Sequence, residues 1–458
     1  MMLYRSFHIN APLNKVLRSP KFDVKNIISN LSLYTDSVKK RALVNGPELL
    51  NSLQELPKLY NDWKLQNNEL SKIQTERKKL ELQLYKLKGI SEQGSDKFSL
   101  ISALQDYKQK TKLIISRIND LNSRIHGTCE DLPNLLDASV PFDGKPKIYK
   151  MINPLAAYVP DQTRDHLEIM TKHKNLVDFA NGSLVTGTSF YYLINEGAEL
   201  EYALIQYSLR KAKAHGFQIC IPPSVARMEI INACGFRPRD MNNEQQIYKI
   251  EKNNTGDDAD EQLGLIATAE ITLAGLGINK VFTNLPLKKV GVTRSYRAEA
   301  GARGKDTRGL YRVHEFSKVE LFCWCKPEDS SRILQDLRDL QIEIITELGL
   351  TAQVLNMPTN DLGAPAYQKY DIEVWMPGRG TFGEVTSTSN CRDFQSRRMN
   401  SKYIDENGGQ QYIHTLNGTC MAVPRVILAI VENFYNKETN TISIPKVLQP
   451  FMNNKEYI

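Results

Sequence analysis

Leu100, Leu104, Tyr107, Thr111, Ile114, Ile118, Leu121 and Ile125 step along the chain by alternating fours and threes, a sustained heptad seam. A helix with such a stripe must bury it against a partner helix, so this period constrains the fold more than composition does. An earlier run carries Tyr60, Trp63, Asn67, Leu70, Ile73, Leu80, Leu84 and Leu87 at similar spacing, and Pro57 stands where a first-turn proline would open it. Between the runs, Gly89, Ser91, Gly94 and Ser95 give a turn signal. Two helices joined so closely are expected to lie antiparallel, zipped along their seams.

The same region is basic. From residue 64 to residue 124 there are thirteen Lys or Arg against seven Asp or Glu, an excess of +6 in a chain whose net charge is +7. A helical hairpin with a basic exterior can track a phosphate backbone, and such binding weakens steeply with salt. A dimerising or purely structural coiled coil with a solvated charged face has the same period, and the period alone does not choose. The chain is 458 residues long and 41% hydrophobic, enough for a sizeable core and two domains. No apolar run approaches the ~20 residues that span a bilayer, so no membrane partner is expected. The cysteines number seven and include no CxxC pair, which argues for a reducing compartment and against a disulfide framework. Cys323 and Cys325 would share a strand face, but two ligands fall short of a zinc site, so buried thiols are expected. Residues 1–22 hold Arg5, Lys15, Arg18 and Lys21 and no acid before Asp23, the make-up of a mitochondrial transit peptide, although Pro12 and Pro20 interrupt any long amphipathic helix.

A second signal lies in residues 292–322, where two strand-like runs flank a loop with Gly301, Gly304 and Gly309 among Arg303, Lys305 and Arg308. On strands, Arg297 and Glu299 would share a face of the first run and Arg312, Phe316 and Glu320 a face of the second, and paired across a hairpin they would make one polar wall. Arginine matches phosphate or carboxylate oxygens, an aromatic ring stacks on a nucleobase, and glutamate accepts from amino or hydroxyl groups. Gly304 and Lys305 do not make a P-loop, because Asp306 stands where Ser or Thr is needed. Upstream, Thr268 and Glu270 would face the same way in extended form, though on its own this tripeptide is common. Downstream, Glu384 and Ser387 are hard oxygen ligands of the kind Mg²⁺ takes. Residues 416–434 read as a short strand, a turn and an apolar helix from near Val423, with Asn417 and Thr419 on one strand face, Pro424 in the first turn and Arg425 at the positively polarised end.

Residues 292–322 closely resemble motif 2 of the class II aminoacyl-tRNA synthetases, in the form seen in seryl-tRNA synthetases. Arg297, Glu299, Asp306, Thr307, Arg308, Gly309, His314, Phe316 and Glu320 all stand where that pattern has them. Gly216, Pro222 and Pro223 sit as in motif 1, the TAE of residues 268–270 matches the serine-binding TxE, and residues 416–434 look like motif 3. The resemblance runs from about residue 57 to the C-terminus. It implies an α+β fold: a class II synthetase antiparallel β-sheet flanked by helices, with an N-terminal antiparallel α-helical coiled-coil arm. The implied organisation, behind the transit peptide read at 1–22, is a tRNA-binding domain with the arm at 23–131, a hinge at 132–146 and a catalytic domain at 147–458. The implied activity is ATP-dependent attachment of L-serine to tRNA(Ser) through seryl-adenylate, by a homodimer using Mg²⁺. The expected compartment is the mitochondrial matrix, with the cytoplasm as alternative.

By the same resemblance Arg297 meets the α-phosphate and the serine carboxylate, Arg312 and Arg425 the terminal phosphates, and Glu384 and Ser387 the metal. Phe316 stacks on adenine, Glu299 accepts from its amino group, and Ala298, Val313, Val385 and Thr386 complete the ATP site. Thr268, Ala269, Glu270, Glu320, Asn417 and Thr419 form the serine pocket, and Glu320→Ala is expected to abolish serine activation with the fold intact. Two other readings are a different class II synthetase and a non-catalytic RNA-binding paralogue. The second would be expected to lack some of Arg297, Glu299, Glu320, Glu384 and Arg425, and all five are present.

Overall fold

A computed structural model describes residues 16, 17, 20–87, 95–236, 246–251, 262–299 and 309–458. The expected transit peptide, the turn after Leu87, the basic loop of motif 2 and residues 251–262, whose polar composition is expected to make a loop, lie largely outside the described residues. The chain separates into two compact units, with the division between Leu135 and Leu136, inside the stretch read as a hinge.

The first unit is dominated by two long helices, α1 (Gly46–Leu87) and α2 (Ser95–Asp131). Both seams are where the heptads put them. Ile114, Ile118 and Ile125 are buried, Tyr107, Thr111 and Leu121 half-buried, and the residues between 107 and 118 that lie off the stripe are exposed. Arg124 near the end of α2 pairs with Glu55 near the start of α1 at 3.3 Å, which fixes the antiparallel sense. Pro57 does not open the helix as expected; it lies inside α1, which starts at Gly46 with Pro47 in its first turn. A proline inside a helix sacrifices one backbone bond. Here Leu53, Leu56 and Leu59 around it are buried in a cluster with Ile27, Val38, Ile125 and Leu132, and that packing carries the helix through. Burying each of those leucines stabilises by about 2 kcal/mol.

The second unit is built on an eight-stranded sheet. Its strands in chain order are β1 (Lys147–Ile152), β2 (Gln218–Cys220), β3 (Leu287–Tyr296), β4 (Glu315–Cys325), β5 (Ala352–Asn356), β6 (Gln368–Met376), β7 (Thr381–Arg392) and β8 (His414–Ala422). Their order across the sheet is β1-β5-β6-β7-β8-β4-β3-β2, antiparallel throughout except for the short edge strand β2, which runs parallel to β3. Helices α3 (Glu196–Ala214), α4 (Ser330–Glu347) and α5 (Val423–Phe434) supply Leu200, Leu204, Leu337, Ile344, Ile427 and Ile430 to the main core against the sheet.

Strand β4 shows how the two faces divide. Val319, Leu321 and Cys323 face that core, while Phe322 and Trp324 point to a second cluster with Ile231, Ile271 and Leu273. Phe316, Lys318 and Glu320 have the same parity as Phe322 and Trp324, so they occupy the second face at the other end of the strand. Pairing of β4 with β8 shifts between Val319 and Glu320, so that Glu320 stands opposite Thr419 and Cys420 drops out of the ladder. That bulge turns Thr419 toward the face that carries Glu320.

None of the seven cysteines forms a disulfide, and burial pushes the Cys323 thiol up to about 12, so it is inert at neutral pH. Among the described residues no helix is long and apolar enough to cross a membrane.

Candidate active site

The second face of β4, with β7 and the start of α5, forms a cleft lined by Arg297, Glu299, Arg312, Val313, Phe316, Lys318, Glu384, Val385, Thr386, Ser387, Thr419 and Arg425, together with Tyr311, Ala422 and Pro424. Residues separated by more than a hundred positions in sequence thus share one wall.

Arg297 and Glu299 are not on a strand as expected, for β3 stops at Tyr296. The chain then turns, and Glu299 takes a left-handed backbone conformation with φ +46°. Arg312 and Val313 likewise lie in the turn before β4, so only Phe316 and Glu320 of the second group are strand residues. The cause is local. The Arg297 N–H still donates to His314 O at 2.9 Å, in register with the ladder, but the His314 N–H goes to Ser189 O at 3.2 Å and the Ala298 N–H to Gln246 O at 3.1 Å, bonds that take the backbone out of the ladder. Arg297 still meets Phe316 across the hairpin, its guanidinium 5.3 Å from the ring centre. Arg312 Nε lies 3.6 Å from Glu299 Oε2. The base of the hairpin is clamped at Gly309, where an added Cβ would fall 2.0 Å from His166 Nε2 and φ is +70°. His166 accepts from Leu310 N–H at 3.3 Å, and its Nδ1 faces the fully buried Glu432 at 2.8 Å.

Motif 3 behaves as read, except that β8 runs directly into α5 without a turn. Arg425 donates from Nε to Tyr311 O at 3.1 Å and from Nη1 to Glu384 O at 2.9 Å and Glu384 Oε2 at 3.2 Å. Burial alone would raise the Glu384 carboxyl, but Arg425, Lys369 and Arg297 outweigh it and hold it down at about 2. Burial, then the charge of Arg425, push the Arg297 guanidinium below its ordinary value. No local pattern in the chain singles out Tyr311. Its hydroxyl accepts from Glu384 N–H at 3.2 Å and its ring lies under Arg425 at 4.7 Å, so it links motif 2 to both partners.

The TAE segment is not extended. Thr268 and Ala269 form a turn, and Glu270 begins a short helix, Glu270–Gly275. Glu270 N–H points to Thr268 Oγ1 at 3.5 Å, and a Thr hydroxyl bonded two residues on initiates such a turn. Glu270 is nonetheless aimed at the same region, accepting from Gln395 Nε2 at 2.7 Å and Asn417 Nδ2 at 2.8 Å. Lys318, another residue not chosen from sequence, stands 2.6 Å from Glu320 Oε2 and donates to Thr268 Oγ1 at 3.0 Å. Thr268, Glu270, Glu320 and Thr419 are all buried. Ala269 is buried in the second cluster, so its side chain packs away from the cleft.

Burial, then the charge of Glu320, raise Glu270 from 4.5 to about 8. Its folded value exceeds its unfolded one, so the folded protein holds this proton more tightly. Stability is therefore lost as pH rises from about 4.5 to about 8 and is flat above, by roughly 3 to 5 kcal/mol if the full shift is expressed. Glu270→Gln keeps an acceptor for Gln395 and Asn417 but cannot ionise. Urea denaturation at pH 5 and pH 8.5 should show the variant gaining on the wild type at the higher pH; equal pH slopes would remove this assignment.

Glu384 and Ser387 offer a carboxylate and a hydroxyl, and among the described residues there is no group of three or more His, Cys, Asp or Glu that could hold a metal. So few protein oxygens fit a Mg²⁺ that takes its remaining positions from phosphates and water, and do not fit an ion caged by protein alone.

Residues 248–434 match the family model described as tRNA synthetase class II core domain (G, H, P, S and T). The chain is 51% identical over 463 residues to the mitochondrial serine--tRNA ligase of Saccharomyces cerevisiae, covering 100% of both. It is 38% identical to the mitochondrial serine--tRNA ligase of Schizosaccharomyces pombe, over 90% of this chain and 85% of that one. Among solved structures, seryl-tRNA synthetase from Pyrococcus horikoshii complexed with ATP superposes with a TM-score of 0.83 at 32% identity, over 96% of this chain and 99% of that one. Full-length identity at this level, on a fold with motifs 2 and 3 around one cleft, leaves one conclusion: the chain belongs to the serine--tRNA ligase family of class II aminoacyl-tRNA synthetases.

Proposed function

We propose that this protein activates L-serine with ATP and transfers it to tRNA(Ser) in mitochondrial translation. One observation carries the reading: the guanidinium groups of Arg297 and Arg425, the carboxylate of Glu384 and the buried Thr268, Glu270 and Glu320 converge on a single region, anion-binding at one end and cation-binding at the other. That polarity suits a triphosphate beside a zwitterion.

In the first step the serine carboxylate attacks the α-phosphorus, giving seryl-adenylate and pyrophosphate. Both partners are anionic, so the protein's task is to neutralise charge and hold an in-line geometry. Arg297 bridges the α-phosphate and the serine carboxylate, and Arg312 and Arg425 take the terminal phosphates. Phe316 stacks on adenine, with Glu299 and the Val313 backbone at its edge. A Mg²⁺ brought by the triphosphate would be held by Glu384 and Ser387 and would neutralise phosphate charge. In the second step the terminal ribose hydroxyl of the tRNA attacks the adenylate carbonyl, breaking its bond to the phosphate oxygen and releasing AMP, so that the seryl group is esterified to the tRNA.

The tRNA reading is supported by the exposure of Lys72, Lys78, Lys79, Lys108, Lys110, Lys112 and Arg117 on α1 and α2. Exposed Ile219 and Ile221 and Tyr202 on the motif 1 segment, at the edge of the sheet, support a homodimer, which sedimentation equilibrium would test. The two yeast relatives support a mitochondrial address, to be checked by import into isolated mitochondria.

A site that hydrogen-bonds a hydroxyl rejects the analogue without it by about 10⁴-fold, whereas one extra methyl must be excluded by size. Pyrophosphate exchange should therefore proceed with serine, fall by about that factor with alanine and glycine, and be weak with threonine. No exchange with any amino acid from folded protein would turn the reading to a paralogue that only binds RNA.

A further inference from the structure

The serine pocket holds a cation that its expected residue set does not contain. Lys318 lies between Phe316 and Glu320 on the cleft face of β4 and is buried. Its ammonium contacts Glu320 Oε2 at 2.6 Å and Thr268 Oγ1 at 3.0 Å, two groups read as recognising serine. A buried ion pair adds little net stability on average, so where this one sits says more than its energy. The Glu320 Oε2 atom is sealed from solvent and makes no aligned hydrogen bond, even to the ammonium beside it. The pair is thus a close charge contact rather than an aligned hydrogen bond.

The proton count at Thr268 points the same way. An ammonium only donates, so Thr268 Oγ1 accepts from Lys318, and the Glu270 N–H is also directed at it at 3.5 Å. With two donors on its lone pairs, the hydroxyl has its own proton to give away. Thr268 therefore meets a ligand as a donor.

We propose that Lys318 is a positioning residue of the amino-acid subsite: it fixes Glu320 as the acceptor for the substrate's amino or hydroxyl group and sets Thr268 as a donor to a substrate oxygen. The proposal rests on the serine reading of this pocket. Lys318 acts through its neighbours and touches no reacting atom. Its charge also balances the pocket, where Glu270, Arg297 and Cys420 all feel the charge of Glu320.

The test is steady-state pyrophosphate exchange by Lys318→Met, Lys318→Arg, Glu320→Gln and the double variant Lys318→Met with Glu320→Gln. Loss of one charge-assisted contact should raise the serine KM of Lys318→Met by about 10- to 100-fold, with kcat and the ATP KM within about twofold. Lys318→Arg should recover part of the serine KM. Because Lys318 works through Glu320, the double variant should be no worse than Glu320→Gln alone; it also removes both buried charges together, so it folds even if Lys318→Met does not. Equal rises in serine and ATP KM, an unchanged serine KM, or fully multiplicative losses in the double variant would each overturn the proposal. If Glu320→Gln alone leaves serine activation untouched, the pocket reading fails, which is a separate result.

Discussion

The Arg297→Ala variant is expected to lose serine-dependent pyrophosphate exchange by about three orders of magnitude, at the upper end for one transition-state donor. Two anionic groups must be brought within bonding distance, and Arg297 is the cation placed between the two halves of the site. The guanidinium leans on Phe316 at 5.3 Å, so the alanine variant also leaves one face of the adenine-stacking ring unsupported. Arg297→Lys should recover little, since an ammonium cannot hold two oxygens in a planar fork. The measurement is exchange rate at saturating ATP and serine, with circular dichroism to confirm folding. A loss under about tenfold would move the α-phosphate contact elsewhere, Arg425 being the next cation in the cleft.

Glu320→Ala should abolish serine activation, by about 10³-fold or more in kcat/KM for serine, because the pocket loses its acceptor. The structure changes the second half of the sequence expectation, that the fold would be untouched. Lys318 stands 2.6 Å away and is itself buried, so alanine leaves an ammonium without its counter-ion. Breaking a buried pair in this way typically costs about 3 to 5 kcal/mol. Glu320→Ala should therefore be both inactive and less stable, whereas Glu320→Gln, which keeps an oxygen for Lys318, should be inactive or weakly active at smaller structural cost. Urea midpoints of the two variants decide it, and equal, wild-type midpoints would show that the Lys318 contact carries no structural weight.

Where sequence reading succeeded, the signal was short-range. The arm could be read because a heptad is a property of one helix and its neighbour, and every seam residue from Tyr107 to Ile125 lies on the covered stripe. Arg425 could be read because Pro424 and the apolar run from Val423 locate a helix start without outside help. The reading failed where a long-range contact overrode a local period. Pro57 looked like a helix start, but Leu53, Leu56 and Leu59 pack on both sides of it and carry α1 through. The alternation that put Arg297 and Glu299 on a strand was broken by the bonds of Ala298 to Gln246 and of His314 to Ser189.

The amino-acid sequence by itself determined the amphipathic stripes, the basic charge of the arm and the residue types of the three motifs, all of which depend on chain neighbours within one or two turns. Only the tertiary structure decided which atoms meet in the cleft. Lys318 beside Thr268, Tyr311 beneath Arg425, and Gly309 against His166 join positions 50, 114 and about 143 residues apart. No local period encodes such contacts; they follow from sheet register, from the bulge opposite Glu320 and from the order of strands across the sheet.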